Sequence, residues 1–169
     1  MDLFIEKTTD TPEVKLQPGL IEFSGHSMPE NVLIFYKPIM EWLRDYVSQP
    51  AQKTVVNINL AYTNSCSIKY ISDIIRHLEK IHLNNCQVEV NWHFEEGDDE
   101  HRDRGVDIED VVSIPFTYHP YQVDDARLSR LKVKNKNTGQ IGEISLKYWD
   151  AICRNGHKKD FEVLEELGH

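Results

Sequence analysis

The residues best suited to chemistry lie where a strand-like segment is followed by a helix-like one. Tyr62-Thr63-Asn64-Ser65-Cys66-Ser67 ends an alternating apolar run and precedes a helical pattern. Ligands bind at this edge of open α/β sheets, and the N–H groups and dipole of a helix N-terminus stabilise a phosphate. Ser65 is therefore a candidate phosphate acceptor, with Ser67 as a less favoured one. The alternative is that Ser65 or Asn64 only caps the helix, as both residue types commonly do.

A second group of chemically capable side chains is acidic and contains two histidines. Its members are His93, Glu95, Glu96, Asp98, Asp99, Glu100, His101 and Asp103. These residue types bind divalent cations, but EF-hand spacing and an H-E-x-x-H pattern are both missing, which favours a solvated acidic loop. Hydrolase and nucleotide-binding motifs are absent as well. The sequence therefore predicts no catalytic residue, no metal and no cofactor, and we interpret Cys66 as a small packed residue.

Composition limits the classes of protein and partner. The chain has 169 residues, 40% of them hydrophobic, which suits one globular domain with at most a small appendage. Nineteen Lys and Arg against 28 Asp and Glu give a net charge of −9, which argues against nucleic acid or an anionic membrane as partner. The first residues lack a leader pattern and no apolar run is long enough to span a membrane, so we expect a cytoplasmic protein. Three cysteines without paired spacing indicate reduced thiols.

The N-terminal third predicts a hairpin followed by a helix. Alternation on both sides of Pro18-Gly19 indicates a β-hairpin over Glu13 to Ser24. Ser27 and Glu30 have the spacing of a capping box, which predicts that the helix begins there. An apolar stripe then runs through a helix that contains Pro38 and ends before Pro50, formed by Leu33, Tyr36, Met40, Leu43 and Val47.

The central third predicts a βαβ unit. Thr54 to Tyr62 alternates with period two, placing Val56, Ile58, Leu60 and Tyr62 on one face, and Val88 to Phe94 alternates likewise. A helical pattern over Ser65 to Leu83 separates them, so the two strands should be parallel with a right-handed crossover. Glu95 to Asp110 is expected to form a loop and a short helix before an apolar segment at Ile114 to Phe116.

Composition changes near residue 120. Residues 1–120 carry a net charge of −10 and residues 121–169 a net charge of +1. We expect a main domain over 1–120 and a C-terminal extension over 121–169 that packs on it. The extension should contain a hairpin around Asn137-Thr138-Gly139 and a helix over Ser145 to Asn155.

Several separated motifs together resemble the SiaC family of STAS-like bacterial regulatory phosphoproteins, over about Thr11 to Tyr118. They are Gly25-His26-Ser27-Met28-Pro29-Glu30-Asn31, Phe35-Tyr36-Lys37-Pro38, Trp42-Leu43, Tyr62 to Ser67, Asn91-Trp92-His93-Phe94-Glu95-Glu96, Asp98-Asp99-Glu100, Gly105 and Pro115-Phe116. The family usually has Asn-Thr-Ser-Ser where this chain has Asn64-Ser65-Cys66-Ser67, so its phosphorylated threonine falls on Ser65. The resemblance implies a dedicated serine/threonine kinase, a metal-dependent serine/threonine phosphatase, and a diguanylate cyclase that the unphosphorylated protein activates.

The sequence thus predicts an α/β, STAS-like mixed sheet flanked by helices, with an N-terminal hairpin and a C-terminal hairpin and helix. Its expected function is that of a regulatory protein-binding module, not an enzyme, switched by phosphorylation of Ser65. Parallel strands would bring Ser65 close to an acidic partner-binding edge formed by Glu95, Glu96, Asp98 and Asp99. Two alternatives remain: a metal-assisted hydrolase that uses His93, the acidic loop and Ser65, and a structural subunit that forms oligomers.

Overall fold

The computed structural model describes residues 2–122, 130–145, 149, 152–153 and 157–167. The chain divides into two compact units, residues 1–121 and residues 122–169. Within the described residues, no helix combines the length and the apolar character needed to cross a membrane.

The first unit is a six-stranded mixed sheet with three helices. The strands follow one another across the sheet in chain order: β1 (Leu3–Ile5), β2 (Glu13–Gln17), β3 (Leu20–Ser27), β4 (Lys53–Thr63), β5 (Gln87–Glu95) and β6 (Phe116–Tyr121). The pairs β1–β2 and β2–β3 are antiparallel, whereas β3–β4, β4–β5 and β5–β6 are parallel. Each parallel connection contains one helix: α1 (Val32–Tyr46), α2 (Ser65–His82) or α3 (Asp99–Glu109). The predicted mixed α/β fold, its hairpin and its parallel βαβ unit are confirmed.

The core lies on one face of this sheet. Alternate residues of β4 and β5, such as Val56, Ile58 and Trp92, are fully buried. The apolar side of α2 packs against them, and its members Ile71, Ile75 and Leu78 are also fully buried. The residues between them are polar and partly exposed, because a strand points successive side chains to opposite faces. One face of the sheet is therefore a core and the other a polar surface.

The start of α1 differs from the prediction. Ser27 is not an N-cap; it is the last residue of β3, fully buried, and Asn31 caps the helix instead through its side-chain oxygen. The chain stays extended as far as Ser27 because that residue pairs with Thr63 in the sheet. The observed cap, Asn31, lies four residues after the proposed one, and the buried stripe of α1 is formed by Tyr36, Ile39, Leu43 and Tyr46. Leu33, which the stripe was expected to include, is 64% exposed.

A β-bulge near the end of β4 explains a second wrong prediction. Gly25 pairs with Leu60 and His26 with Tyr62, so Ala61 is an extra residue without a partner in β3. The alternation is shifted by one position beyond it: Thr63 is buried and Tyr62 is 49% exposed. The expectation that Tyr62 continues the buried face is therefore wrong.

The second unit contains a three-stranded antiparallel sheet with the order β8-β7-β9. Its strands are β7 (Arg130–Asn135), β8 (Ile141–Ser145) and β9 (Phe161–Leu167), and a 3₁₀ turn over His157–Asp160 precedes β9. β7 and β8 form the predicted hairpin, while β9 was not predicted. The helix expected over Ser145 to Asn155 lies mostly outside the described residues.

Candidate functional site

The candidate site lies where the parallel strands β3 and β4 end side by side. Ser27 and Thr63, their last residues, pair with each other, and the Asn64 N–H donates to the Ser27 carbonyl over 3.0 Å. Helix α2 begins at the next residue, Ser65. The junction predicted from the sequence is thus at the carboxyl edge of the sheet.

Asn64, and not Ser65, caps helix α2. Its side-chain oxygen accepts from the Ser67 N–H over 2.8 Å, and its carbonyl accepts from the Ile68 N–H over 3.0 Å. The capping alternative therefore applies to Asn64. Ser65 is exposed, and its hydroxyl makes no hydrogen bond to the described part of the chain. Cys66 is exposed as well, contrary to the packed position expected for it, because the inward side of this first turn is taken by Ser67.

Ser67 lies in a buried polar contact beneath the helix. The Tyr36 hydroxyl is 2.8 Å from the Ser27 hydroxyl, and the Tyr36 ring stacks on Tyr70 with centroids 4.7 Å apart. Burial raises the pKa of Tyr36, and the nearby Ser27 and Ser67 hydroxyls oppose that rise. Ser67 is fully buried, and its hydroxyl completes no hydrogen bond within the described residues. Of the two serines in this turn, only Ser65 faces solvent.

The acidic segment is a turn followed by a capped helix, in agreement with the loop and short helix expected over Glu95 to Asp110. Asp98 is the N-cap of α3, and its side chain accepts from the His101 N–H over 3.0 Å. Arg102 forms ion pairs with Asp99 at 3.3 Å and Asp103 at 2.8 Å. Glu95 is the last residue of β5, so these acidic residues do follow the end of the neighbouring parallel strand.

Arg104 connects this helix to the end of β4, and it was not among the residues selected from the sequence. Its Nη1 donates to the carbonyl oxygen of Thr63 over 2.7 Å and to the Thr63 hydroxyl over 2.8 Å, while Nη2 pairs with Glu100 over 2.6 Å. The only available signal was the four-residue spacing of Glu100 and Arg104, which is typical of a helical ion pair. The Arg104 guanidinium thus contacts Thr63, the residue two positions before Ser65.

Helix α3 is fixed in place by its contact with Trp92. The indole N–H donates to the His101 carbonyl over 3.1 Å, and the His101 ring stacks on the indole with centroids 5.3 Å apart. His101 is 5% exposed, and this burial lowers its pKa. Gly105 lies directly over the same ring. These contacts determine where Arg104 can reach.

The residues of the proposed hydrolase do not meet in one place. His93 lies on the polar face of the sheet, stacked on His119, whereas α3 packs on the opposite face against Trp92. His93, Asp98 and Asp99 therefore do not converge. No three His, Cys, Asp or Glu side chains in the described ranges are arranged to hold a metal ion.

The fold and the edge together define a small α/β protein that presents an exposed serine at a helix N-terminus. Comparison with known proteins is specific about the family. Residues 5–121 match the family model described as SiaC family regulatory phosphoprotein. The chain therefore belongs to the SiaC family of regulatory phosphoproteins.

The relatives found are from Pseudomonas aeruginosa. An uncharacterized protein of strain UCBPP-PA14 is 26% identical over 117 residues, covering 68% of this chain and 93% of that protein. The crystal structure of apo-SiaC has a TM-score of 0.64 and 25% identity, covering 70% of this chain and 98% of that one. SiaC crystallised in complex with the diguanylate cyclase SiaD, which it activates, has a TM-score of 0.64 and 26% identity, covering 71% of this chain and all of that one.

Proposed function

We propose that this protein is a cytoplasmic switch that binds an effector protein when Ser65 is unmodified and releases it when Ser65 is phosphorylated. The observation that carries this proposal is the environment of Ser65. Its side chain is exposed at the first position of α2, and Asn64 already performs the capping role that would otherwise occupy a serine there. The hydroxyl is therefore accessible to a kinase and to a phosphatase.

Exposed apolar side chains at the same edge suit an effector surface. Leu33 and Ile34 in the first turn of α1 are 64% and 70% exposed, and Tyr62 at the end of β4 is 49% exposed. Both segments belong to the edge that contains Ser65, because β3 leads into α1 and ends beside β4. Exposed apolar groups that lie close together are typical of protein-binding surfaces. We assign these three residues to the effector surface.

Phosphorylation would change this surface through charge. A phosphate adds about −1.5 to −2 charge, and the acidic residues that end β5 and begin α3 belong to the same edge. Docking an apolar partner beside the phosphate would require removal of its water, which is costly. Within the protein, the α2 N-terminus favours the phosphate, and Arg104 supplies a cation near this edge. We therefore expect loss of binding without loss of folding.

The proposed effector is a diguanylate cyclase, and the proposed regulators are a serine/threonine kinase and a metal-dependent phosphatase. Support for the effector comes from the P. aeruginosa relative, which was crystallised with the cyclase SiaD that it activates. Support for the regulators comes from membership in a family of phosphoproteins. The hydrolase and oligomer alternatives have no comparable support.

The test uses protein purified from its native host. Mass spectrometry should find phosphate on Ser65, and calorimetry with the cyclase encoded in the same genome should show that the phosphorylated protein binds at least about tenfold more weakly. Ser65→Ala should bind under all conditions. Ser48→Asp adds a negative charge at an exposed serine after the end of α1 and should bind as wild type does.

Two results would contradict the proposal. One is phosphate found on Ser67 or Thr63 with Ser65 unmodified. The other is equal affinity of the phosphorylated and unphosphorylated proteins for the same cyclase.

A further inference from the structure

A trough of about 510 Å³ lies on the polar face of the sheet, and its lining does not include the residues of the Ser65 junction. This volume is in the range of sites that bind small molecules. The floor of the trough is formed by the short side chains of Ser24 and Asn59, and His93 and His119 line one side. The trough therefore has a shape and a polar lining that the proposed switch does not use.

The register of the sheet produces this shape. Glu13 pairs with Ser24, Ser24 with Asn59, and His93 with His119. Ladder pairing between β4 and β5 ends one position earlier, at Ile58 and Trp92. Asn59 and His93 thus lie in one row across the sheet, beyond the last ladder pair. Small residues in the middle of this row leave space beside the larger His93 ring.

The two histidines form a flat platform. Their rings are stacked with centroids 4.7 Å apart and planes inclined by 21°. Burial and the neighbouring His119 lower the pKa of His93, which favours a neutral ring near pH 7. Because His119 lies on one side of His93 and Asn59 on the other, a planar group above Asn59 would extend the stack.

A directed hydrogen-bond chain holds this platform in place. The Glu22 carboxylate can only accept, so the Asn57 amide nitrogen donates to it over 2.9 Å. The Asn57 oxygen then accepts from the Asn91 nitrogen over 2.9 Å. This leaves the Asn91 oxygen to accept from His119 Nε2, 3.1 Å away. The orientation of the ring is set before any ligand arrives.

The remaining polar groups are suited to the edge of a nucleobase. The Asn59 amide makes no hydrogen bond with the described residues and is exposed in the trough. An asparagine amide offers one donor and one acceptor side by side, which matches N7 and the N6 amino group of adenine. Guanine presents two acceptors at the same edge and does not match. Lys15 is already paired with Glu13 at 2.8 Å, so its charge is balanced within that pair. The carboxylate of Glu22 therefore makes this wall of the trough negative, which is unsuited to a phosphate group.

We propose that this trough binds an adenine nucleoside, with the base stacked on His93, its N6 and N7 edge on Asn59, and any phosphates pointing to solvent. Bases bind aromatic side chains, histidine included, in this way in other proteins. The site does not depend on Ser65 or its modification. It would give the protein a small-molecule input on the face of the six-stranded sheet opposite α2 and α3.

The test is a titration of isotopically labelled full-length protein with adenosine, followed by NMR. The ring signals of His93 and His119 and the side-chain amide of Asn59 should shift together. His93→Ala should weaken binding about tenfold, the order of magnitude of one base–aromatic stack. Asn59→Ala should remove the preference for adenosine over guanosine. His77→Ala changes a histidine on α2, outside the trough, and should bind adenosine as wild type does.

Three outcomes would overturn the proposal. The first is the absence of adenosine-induced shifts in the trough signals while thermal melting shows the protein folded. The second is equal adenosine affinity of His93→Ala and wild type. The third is a trough that responds to an arginine-containing peptide but not to adenosine, which would make it a protein-docking surface.

Discussion

Replacing Gly105 with alanine should destabilise the first unit, although alanine normally strengthens a helix. A methyl group at this position would lie 2.9 Å from the Cδ2 and Cε2 atoms of Trp92 and 3.0 Å from its Cγ atom. The indole cannot move away easily, because it is fully buried and is held by the His101 carbonyl and ring. The clash must therefore be relieved by moving α3.

The size of the effect follows from two opposing contributions. Glycine to alanine in a helix interior is worth about 1 kcal/mol in favour of folding. Overpacking a core site costs about 1–3 kcal/mol, and a contact with a fixed ring belongs in the upper half of that range. The net loss of unfolding free energy should be about 1–2 kcal/mol, equivalent to a decrease of about 4–10 °C in Tm.

Urea and thermal unfolding followed by circular dichroism would measure this loss. Asp107→Ala is the matched control, since Asp107 is exposed on the same helix and its replacement changes helix propensity without adding a clash. It should leave Tm unchanged or raise it slightly. If Gly105→Ala were as stable as Asp107→Ala, the close packing of α3 on Trp92 would be refuted. The position inferred for Arg104 would then lose its support.

Three further predictions follow from contacts near the site. Arg104→Gln removes the charged hydrogen bonds to Thr63, and the Arg104 side chain is only 27% exposed. The unfolding free energy measured in urea titrations should therefore fall by about 1–2 kcal/mol. Unchanged stability would show that this contact is not formed in solution. Asn64→Ala should cost about 1 kcal/mol through loss of the α2 cap, and Asn64→Asp should restore most of it. Burial lowers the pKa of His101 below its ordinary value of 6.5, so the unfolded chain takes up a proton below that pH more readily than the folded chain does. The contribution of neutral His101 to the unfolding free energy should therefore be fully present above about pH 6.5 and decrease as the pH is lowered. His101→Gln should reduce this pH dependence in unfolding measurements between about pH 7.5 and 5, the range around the ordinary histidine pKa.

The parts of the fold that could be predicted from the sequence are those with clean local periodicity. β5 alternates without interruption from Val88 to Phe94, and its even-numbered residues are buried as the pattern predicts. Helix α2 has a recognisable N-terminal junction, and its predicted start at Ser65 is confirmed. In each case one short-range pattern is sufficient.

The wrong predictions have long-range causes. Ser27 and Glu30 do have capping-box spacing, but pairing with β4 keeps Ser27 in a strand. The exposure of Tyr62 depends on a bulge that is defined only by the neighbouring strand. Arg104 acts on Thr63, 41 positions away in the sequence. No local window contains both members of these pairs.

The candidate site lies at a strand-to-helix junction, and such a junction can be recognised in the sequence from the change of periodicity. The sequence could not show which polar residue of that turn caps the helix, which is buried and which is exposed. Asn64 caps the helix, Ser67 is buried and Ser65 remains exposed. All three residue types are polar and small, so only the packing of α2 on the sheet distinguishes them.

The extra residue in β4 sets which way the end of that strand faces. Because side chains alternate with a period of two, a strand that paired regularly through Ala61 would turn Tyr62 toward the core and Thr63 outward, and the bulge reverses both. Removing Ala61 would leave Gly25 paired with Leu60 and His26 with Tyr62 in regular succession, so Tyr62 would stay exposed and the Thr63 hydroxyl would still face Arg104. A deletion at Ala61 should therefore be tolerated, whereas a deletion at Tyr62 would remove a side chain from the edge itself. Homologous strands that are one residue shorter are best aligned with a gap at position 61.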